Sequence, residues 1–294
     1  MEALVFDLKT KVLKHEKKHP MPEIVKDDDV IVKVAYSGVC GTDLHIMAGE
    51  FPARSDRPFT LGHEFSGVVH AAGPASAFRA GQKVVVDPNR PCNLCNHCRR
   101  SKYQFCSARA NIGVWVDGGW AQYCVVSSLH VFLLPDGVSL AQGGLCEPYS
   151  CVSHGFDIIS PITVGQKILI CGAGIIGNLW ITTLHHQGHR NITVSEMNTK
   201  RLEIVKNLGL CRNFDVDGSL EAQSRRRCSQ LYPSPSSSAK IQSFTDGEIY
   251  RSHSKAPLPL LSKLEDLNLK TGRPNDKLAF YGLQSSISGP GFFN

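Results

Sequence analysis

The sequence lacks any long apolar run: nothing in its 294 residues approaches the roughly 18 consecutive apolar positions of a membrane-spanning helix. No membrane partner is expected. Its first residues, Met1-Glu2-Ala3-Leu4-Val5-Phe6-Asp7, lack the basic region and apolar stretch of a secretory leader. A recognisable nucleic-acid motif is also missing, and the formal charge of +6 does not replace one. From Gly218 onward ten Lys/Arg face six Asp/Glu, so four of the six net charges sit in that stretch. A diffuse basic tail of this kind is solvated surface, and no nucleic-acid partner is expected. Seven cysteines (Cys40, Cys124, Cys146, Cys151, Cys171, Cys211 and Cys228) are scattered singly, which suits a reducing, cytoplasmic setting. In that setting Asn191-Ile192-Thr193 is a chance glycosylation sequon.

The other four cysteines stand close together. Cys92, Cys95, Cys98 and Cys106 follow the spacing C-x2-C-x2-C-x7-C. Four thiolates so near in sequence can surround one tetrahedral ion without water, the geometry of a structural zinc site. Paired disulfides are the competing reading and need an oxidising compartment.

Periodicity divides the chain. Asp29 to Val39 alternates apolar and polar residues, as a half-buried strand does. Short β-rich runs follow at Phe65 to Val69, Lys83 to Val86, Ala121 to Val126 and His130 to Leu134, with Gly- and Pro-containing turns between them. Near Pro161 the pattern changes. Lys167-Ile168-Leu169-Ile170-Cys171 is a continuous apolar run suited to a strand buried on both faces. A helix over Asn178 to Gln187, a strand over Asn191 to Glu196, a helix over Thr199 to Leu208 ending at Gly209, and a strand over Arg212 to Val216 complete a βαβαβ pattern. The expected fold is thus α/β plus β, with domains at 1–158 and 159–217. Residues 218–294 are rich in Ser, Pro and Lys, show no strand–helix alternation, and read as a disordered tail with at most a marginal helix around Leu260 to Leu267.

Gly172-Ala173-Gly174-Ile175-Ile176-Gly177 is a G-x-G-x-x-G loop between a buried strand and a helix. Gly172 permits the tight turn, Gly174 lets the backbone approach a pyrophosphate, and Gly177 lets helix and strand pack closely. The helix N-terminus then faces phosphate charge. Glu196 ends the next strand at the expected distance of about 20 residues, where a carboxylate binds the ribose hydroxyls and favours NAD over NADP. Lys200 and Arg201 lie close by and bear on that preference. Upstream, Cys40, His63 and Glu64 offer one thiolate, one imidazole and one carboxylate, the ligand number of a catalytic zinc with an open position. Singly, each has an ordinary alternative: a buried cysteine, a satisfied loop histidine, a surface glutamate.

Five elements occur in order: Cys40-Gly41-Thr42-Asp43-Leu44-His45, Leu61-Gly62-His63-Glu64-Phe65-Ser66-Gly67, the four-cysteine lobe, Cys146-Glu147-Pro148-Tyr149-Ser150 and the glycine loop. Together they resemble the zinc-dependent medium-chain dehydrogenases, most closely the polyol (sorbitol or arabinitol) branch, over residues 1 to about 217. The resemblance implies a GroES-like β domain followed by a Rossmann half, two zinc ions and NAD. It implies catalytic-zinc ligands at Cys40, His63 and Glu64, with Glu147 at the fourth position, either as a ligand or through water, and Cys146 as the competing candidate. Thr42 and His45 match the proton-relay positions. The implied reaction oxidises a secondary alcohol or polyol, with zinc lowering the pKa of the hydroxyl and the nicotinamide taking the hydride. Trp115 and Trp120 stand as substrate-entrance residues or as plain core.

The resemblance also implies further Rossmann strands, a return segment of the β domain and the strand through which family members commonly homo-oligomerise. None has a counterpart after Val216. A spliced or frame-shifted product reads this way. A half sheet with an uncovered apolar edge leads to an expectation of weak or absent NAD turnover. The alternative is a non-catalytic zinc-binding product that acts through a partner.

Overall fold

The computed structural model describes residues 1–211 and 213–215. Beyond them it describes residues 217, 219 and 222 and the backbone of 242–244, 247–251 and 279–282. The described chain divides after Glu147 into two compact units.

The first unit is built around β3 (Asp29–Val39), whose limits coincide with the alternating run in the sequence. It follows β1 (Ala3–Asp7) and β2 (Val12–Glu16), which pair antiparallel with each other. Helix α1 (Gly41–Ala48) and β4 (Phe59–Thr60) come next, and β4 adds to β1 to make a three-stranded sheet. β5 (Phe65–Ala72), β6 (Lys83–Val86), β7 (Tyr123–Ser127) and β8 (Val131–Leu133) extend the larger sheet: β3 pairs β5 and β7, β5 pairs β6, and β6 pairs β8, all antiparallel. Val30, Val32, Phe65, Val84 and Val86 fill the core of this sheet. A second core gathers Leu4, Phe6, Leu44, Phe59, Leu61 and Trp120 between the small sheet and α1.

Past the short helix α2 (Leu140–Gly143), helix α3 (Cys146–Ile159) leads into the second unit. There β9 (Ile168–Cys171), α4 (Ile175–His186), β10 (Ile192–Ser195), α5 (Thr199–Leu208) and β11 (Asn213–Asp215) follow in turn. The three strands are parallel in the order β11-β10-β9. Ile168, Ile170, Ile192 and Val194 pack with Ile181 and Leu184 of α4 in one core, which is why the strands carry unbroken apolar runs. Asn198 caps α5, its side-chain oxygen accepting the N–H groups of Lys200 and Arg201. Gly209 ends it at φ 66°.

One expectation is corrected here. The β9 edge is not bare: the backbone of β13 (Gly247–Arg251) runs parallel to β9, and β12 (Gln242–Phe244) pairs antiparallel with β13. β14 (Ala279–Gly282) runs parallel to β3. Edge pairing satisfies backbone N–H and C=O groups and asks little of side-chain pattern, so a Ser/Pro-rich sequence gave no sign of these short strands. The expected helix near Leu260 to Leu267 lies outside the described residues, as does most of 218–294.

Candidate active site

The elements of the first unit bring Cys40, His63 and Glu64 together. Cys40 closes β3 and precedes α1, while His63 and Glu64 sit between β4 and β5. One potential ligand atom from each lies within 4.8 Å of the other two, and His63 and Glu64 are buried. Burial pushes the Cys40 thiol up. Burial, with the Glu147 and Asp43 charges, pushes the Glu64 carboxyl up to about 7. Against the cost of burial, Asp43 and Cys40 hold the His63 imidazole well above its usual value. A thiol and a carboxyl that resist ionisation, beside an imidazole that holds its proton, form a donor set whose deprotonated state a divalent cation would stabilise.

Asp43, a residue to which the sequence motif gave no role, organises this group. It is 0% exposed and stands at the third position of α1. There its Oδ2 accepts the N–H of Cys40 at 2.8 Å, as a capping-box acid does. Its Oδ1 lies 3.3 Å from Nδ1 of His63, and neither atom has another polar partner among the described residues. A carboxylate facing Nδ1 fixes the proton there and leaves Nε2 for a metal.

Gly38 shapes the space for Glu64. A Cβ at Gly38 would fall 2.0 Å from Oε2 of Glu64, so only glycine leaves room for the carboxylate. Its N–H donates to the Glu64 carbonyl at 2.7 Å, and its own carbonyl accepts Trp120 Nε1 at 3.0 Å. Trp120 is thus core, completely buried. Trp115 instead lines a surface cavity. Glu147 lies outside the group of three ligand residues, although its charge is felt by Glu64. Cys146 is half-buried at the start of α3. Thr42 and His45 are both half-buried on α1. His45 donates from Nδ1 to Glu50 Oε2 at 2.7 Å. A carboxylate can only accept, so Glu50, a residue without a sequence signal, fixes that proton and leaves Nε2 to exchange one.

The four-cysteine loop fits a second metal. A tetrahedral site with metal–sulfur bonds of about 2.3 Å has sulfur–sulfur edges of about 3.8 Å. The Cys92–Cys98 and Cys95–Cys98 sulfurs are 3.9 and 3.5 Å apart, far beyond the roughly 2.05 Å of a disulfide. Cys92, Cys95, Cys98 and Cys106 form one cluster within 4.8 Å. Backbone N–H groups of Leu94 and Cys95 draw the Cys92 thiol down to about 6, while burial pushes Cys98 up to about 12.

In the second unit the glycine loop is tightly turned and closely packed. Gly172 turns at φ 96°, and a Cβ on Gly177 would meet the Gly172 carbonyl at 2.1 Å. Gly174 caps α4, with Ile175 and Ile176 in its first turn. The two oxygens of Glu196 accept the N–H groups of Ala173 and Asn198 at 2.9 and 2.7 Å, tying the loop to the end of β10. Arg201 Nη1 stands 3.9 Å from the same carboxylate.

Residues 26–136 match the alcohol dehydrogenase GroES-like domain. An L-threonine 3-dehydrogenase from Marinomonas sp. (strain MWYL1) is 32% identical over 195 residues, 64% of this chain and 56% of that protein. The crystal structure of galactitol-1-phosphate dehydrogenase from Escherichia coli superposes with a TM-score of 0.66 at 31% identity, covering 79% of this chain and 66% of that one. A structure described as a zinc-binding dehydrogenase from Sinorhizobium meliloti 1021, bound to NADP, superposes with a TM-score of 0.64 at 31% identity, covering 72% and 60%. The chain spans less than two thirds of the length of the curated relatives it matches. The domain match, these relatives and the two thiolate-bearing donor clusters agree in supporting a zinc-dependent medium-chain alcohol or polyol dehydrogenase.

Proposed function

We propose that this chain carries the site for oxidation of a secondary alcohol or polyol with hydride transfer to NAD. The observation that carries the reading is the convergence of Cys40, His63 and Glu64 within 4.8 Å, a three-ligand donor set that fits zinc. Bound there, zinc would supply the Lewis acidity that makes a substrate hydroxyl acidic near neutral pH, and a nicotinamide would supply the hydride acceptor. The chain's own residues do the remaining work. Asp43 holds Cys40 and His63 in position. Thr42 would take the hydroxyl proton while giving up its own through the ribose hydroxyls toward His45, whose Nδ1 is held by Glu50 and whose Nε2 passes the proton on to solvent. Glu64 joins the ligand set, with Glu147 in electrostatic reach as the fourth group. Cys92, Cys95, Cys98 and Cys106 hold a second, structural zinc.

Gly172, Gly174, Ile175, Ile176 and Gly177 cradle the pyrophosphate. Glu196 retains lone pairs for the ribose hydroxyls and disfavours a 2′-phosphate. Arg201, beside it, is the residue through which NADP would be admitted instead.

The test is NADH formation by the purified, zinc-loaded chain with NAD and a panel of polyols and secondary alcohols, beside metal analysis. Two zinc ions with turnover support the reading. Two zinc ions without turnover favour a zinc-binding chain that acts through a partner, a reading kept open by a span of 56% of a relative's length. Absence of metal at the triad refutes the proposed chemistry.

A further inference from the structure

The segment between α1 and β4 carries Glu50, the residue that fixes the proton on His45, and from Gly49 to Pro58 it holds no helix or strand. Phe51 and Ala53 are partly buried against the core that includes Phe59 and Trp120. Further on, a cavity of about 380 Å³ opens at Arg54, Asp56, Arg57, Phe59 and Trp115, so the segment is not packed solidly onto its neighbours there. Two of its side chains reach the 115–117 turn at this cavity. Arg57 Nη2 meets Asp117 Oδ2 at 2.6 Å, and the Arg54 guanidinium lies 5.8 Å from the Trp115 ring centroid.

The same indole is reached from the four-cysteine lobe. Arg109, three residues after Cys106, has its guanidinium 5.0 Å from the Trp115 ring centroid. Its Nη1 donates to the carbonyl of Gln104 at 2.7 Å, two residues before Cys106. Burial, the Cys106 sulfur and the Arg54 charge all act on the Arg109 ionisation, as expected of a group set between lobe and segment. A guanidinium against an indole face is attracted by the ring quadrupole and by stacking. The two cations repel each other, and the ring they share supplies attraction to both. Apart from two helical turns, Cys98–Arg100 and Tyr103–Phe105, the lobe has no regular structure, so metal on its four thiolates would supply its order.

We infer that Trp115 is a positioning residue that ties the segment bearing Glu50 to the four-cysteine lobe, through Arg54 in the segment and Arg109 at the lobe. Order in the lobe is thereby felt at His45. The meaning of His45 as a relay rests on the proposed oxidation; the tie itself does not.

The experiment is amide hydrogen exchange on the full zinc-loaded chain without coenzyme. It is read at Glu50, whose N–H donates to the His45 carbonyl at 2.8 Å, with β6 as the reference for global stability. One guanidinium–indole contact shifts the equilibrium it holds by about two- to fivefold. Arg54→Gln and Trp115→Leu are each expected to speed Glu50 exchange by about that factor, with β6 unchanged and both zinc ions bound. The His45 Nδ1–H resonance, held by Glu50, is expected to broaden with it. Trp115→Phe, which keeps an aromatic face, restores most of the protection. Arg109→Gln lies outside the segment and discriminates best: it should loosen Glu50 in the parent and add nothing in the Trp115→Leu background. No effect of Arg109→Gln in the parent, or an equal effect in both backgrounds, overturns the inference. So does parental protection in Arg54→Gln, or a Trp115→Phe variant that behaves like Trp115→Leu. Where Trp115→Leu also speeds β6, Arg54→Gln and Arg109→Gln are combined instead: a double variant no looser than either single one supports the tie, and full additivity refutes it. NADH formation is a separate readout: a confirmed tie without turnover counts against the proposed oxidation and leaves the role of Trp115 standing.

Discussion

Replacing Asp43 by asparagine tests the triad without touching a ligand. The side chain is 0% exposed and serves two groups, accepting the Cys40 N–H at 2.8 Å and facing His63 Nδ1 at 3.3 Å. Asparagine keeps one carbonyl oxygen and turns the other position into a donor. If the oxygen stays on the Cys40 N–H, the amide NH2 faces Nδ1, which must then accept, and the proton moves to the nitrogen needed for metal. If the amide flips, the NH2 meets the Cys40 N–H instead. In the first case the metal-binding nitrogen is blocked by a proton, and in the second a buried contact becomes donor against donor. Loss of such an orienting partner costs 10–100-fold in metal affinity, or about 1.4–2.7 kcal/mol. Zinc titration against a competing chelator is the assay, with the four-cysteine cluster as internal control. At a zinc level that fills both sites in the parent, Asp43→Asn is expected to hold one ion and to lose the other. An unchanged second affinity would refute the role assigned to Asp43.

Gly38→Ala puts a methyl group where Glu64 Oε2 lies 2.0 Å from an ideal Cβ; one bound zinc fewer and a lower melting temperature are expected, and full zinc content in the variant contradicts the cradle. Trp120→Phe removes the donor to the buried Gly38 carbonyl and is expected to cost about 1–3 kcal/mol in denaturant unfolding; a smaller change would mean another donor replaces it. Zinc loading at the triad depends on pH because metal displaces ligand protons. With the Glu64 carboxyl at about 7, its proton must also be displaced below that pH, so affinity is expected to fall by about a further tenfold per pH unit there, and a zinc isotherm flat from pH 8 to about 5 excludes it. Glu196→Gln keeps the acceptor for Ala173 but loses the charge, so affinity is expected to shift from NAD toward NADP, measured by coenzyme binding; an unchanged ratio assigns the preference elsewhere.

The parts of the fold written into a single element were readable in advance. The limits of β3 match the alternation of Asp29 to Val39, and α5 runs over Thr199–Leu208 between a polar cap and Gly209, as the periodicity predicts. Helix α4 starts at Ile175 rather than Asn178 because Gly174 caps it from within the phosphate loop, where no polar N-cap signals a start. Contacts made across the sequence were not readable. Gly38 and Asp43 acquire their meaning from Glu64 and His63, which the chain returns only after α1 and β4. Asp43 did carry a weak signal, an acid at the third position of a helix opened by a candidate ligand. Glu50 carried none, because its tie to His45 depends on the chain doubling back after Gly49, the left-handed end of α1. The pairing of β13 with β9 is made through backbone groups, and residue pattern does not record that.

These contacts place the candidate metal site on a frame drawn wholly from the first compact unit. Gly38 joins Glu64 through its N–H and Trp120 through its carbonyl. Trp120 packs in one core with Leu4, Phe6, Leu44, Phe59 and Leu61. Leu44 belongs to the same helix as Asp43, which in turn fixes Cys40 and His63. Every link in that chain falls between residues 4 and 120, inside the first compact unit. A perturbation confined to the second unit, such as bulk at Gly177, where a Cβ would meet the Gly172 carbonyl at 2.1 Å, therefore acts on coenzyme binding and leaves the triad's metal affinity alone. Gly177→Ala should abolish coenzyme binding in a chain that still carries both zinc ions. Loss of triad zinc in that variant would show that the two units share the energy of the site.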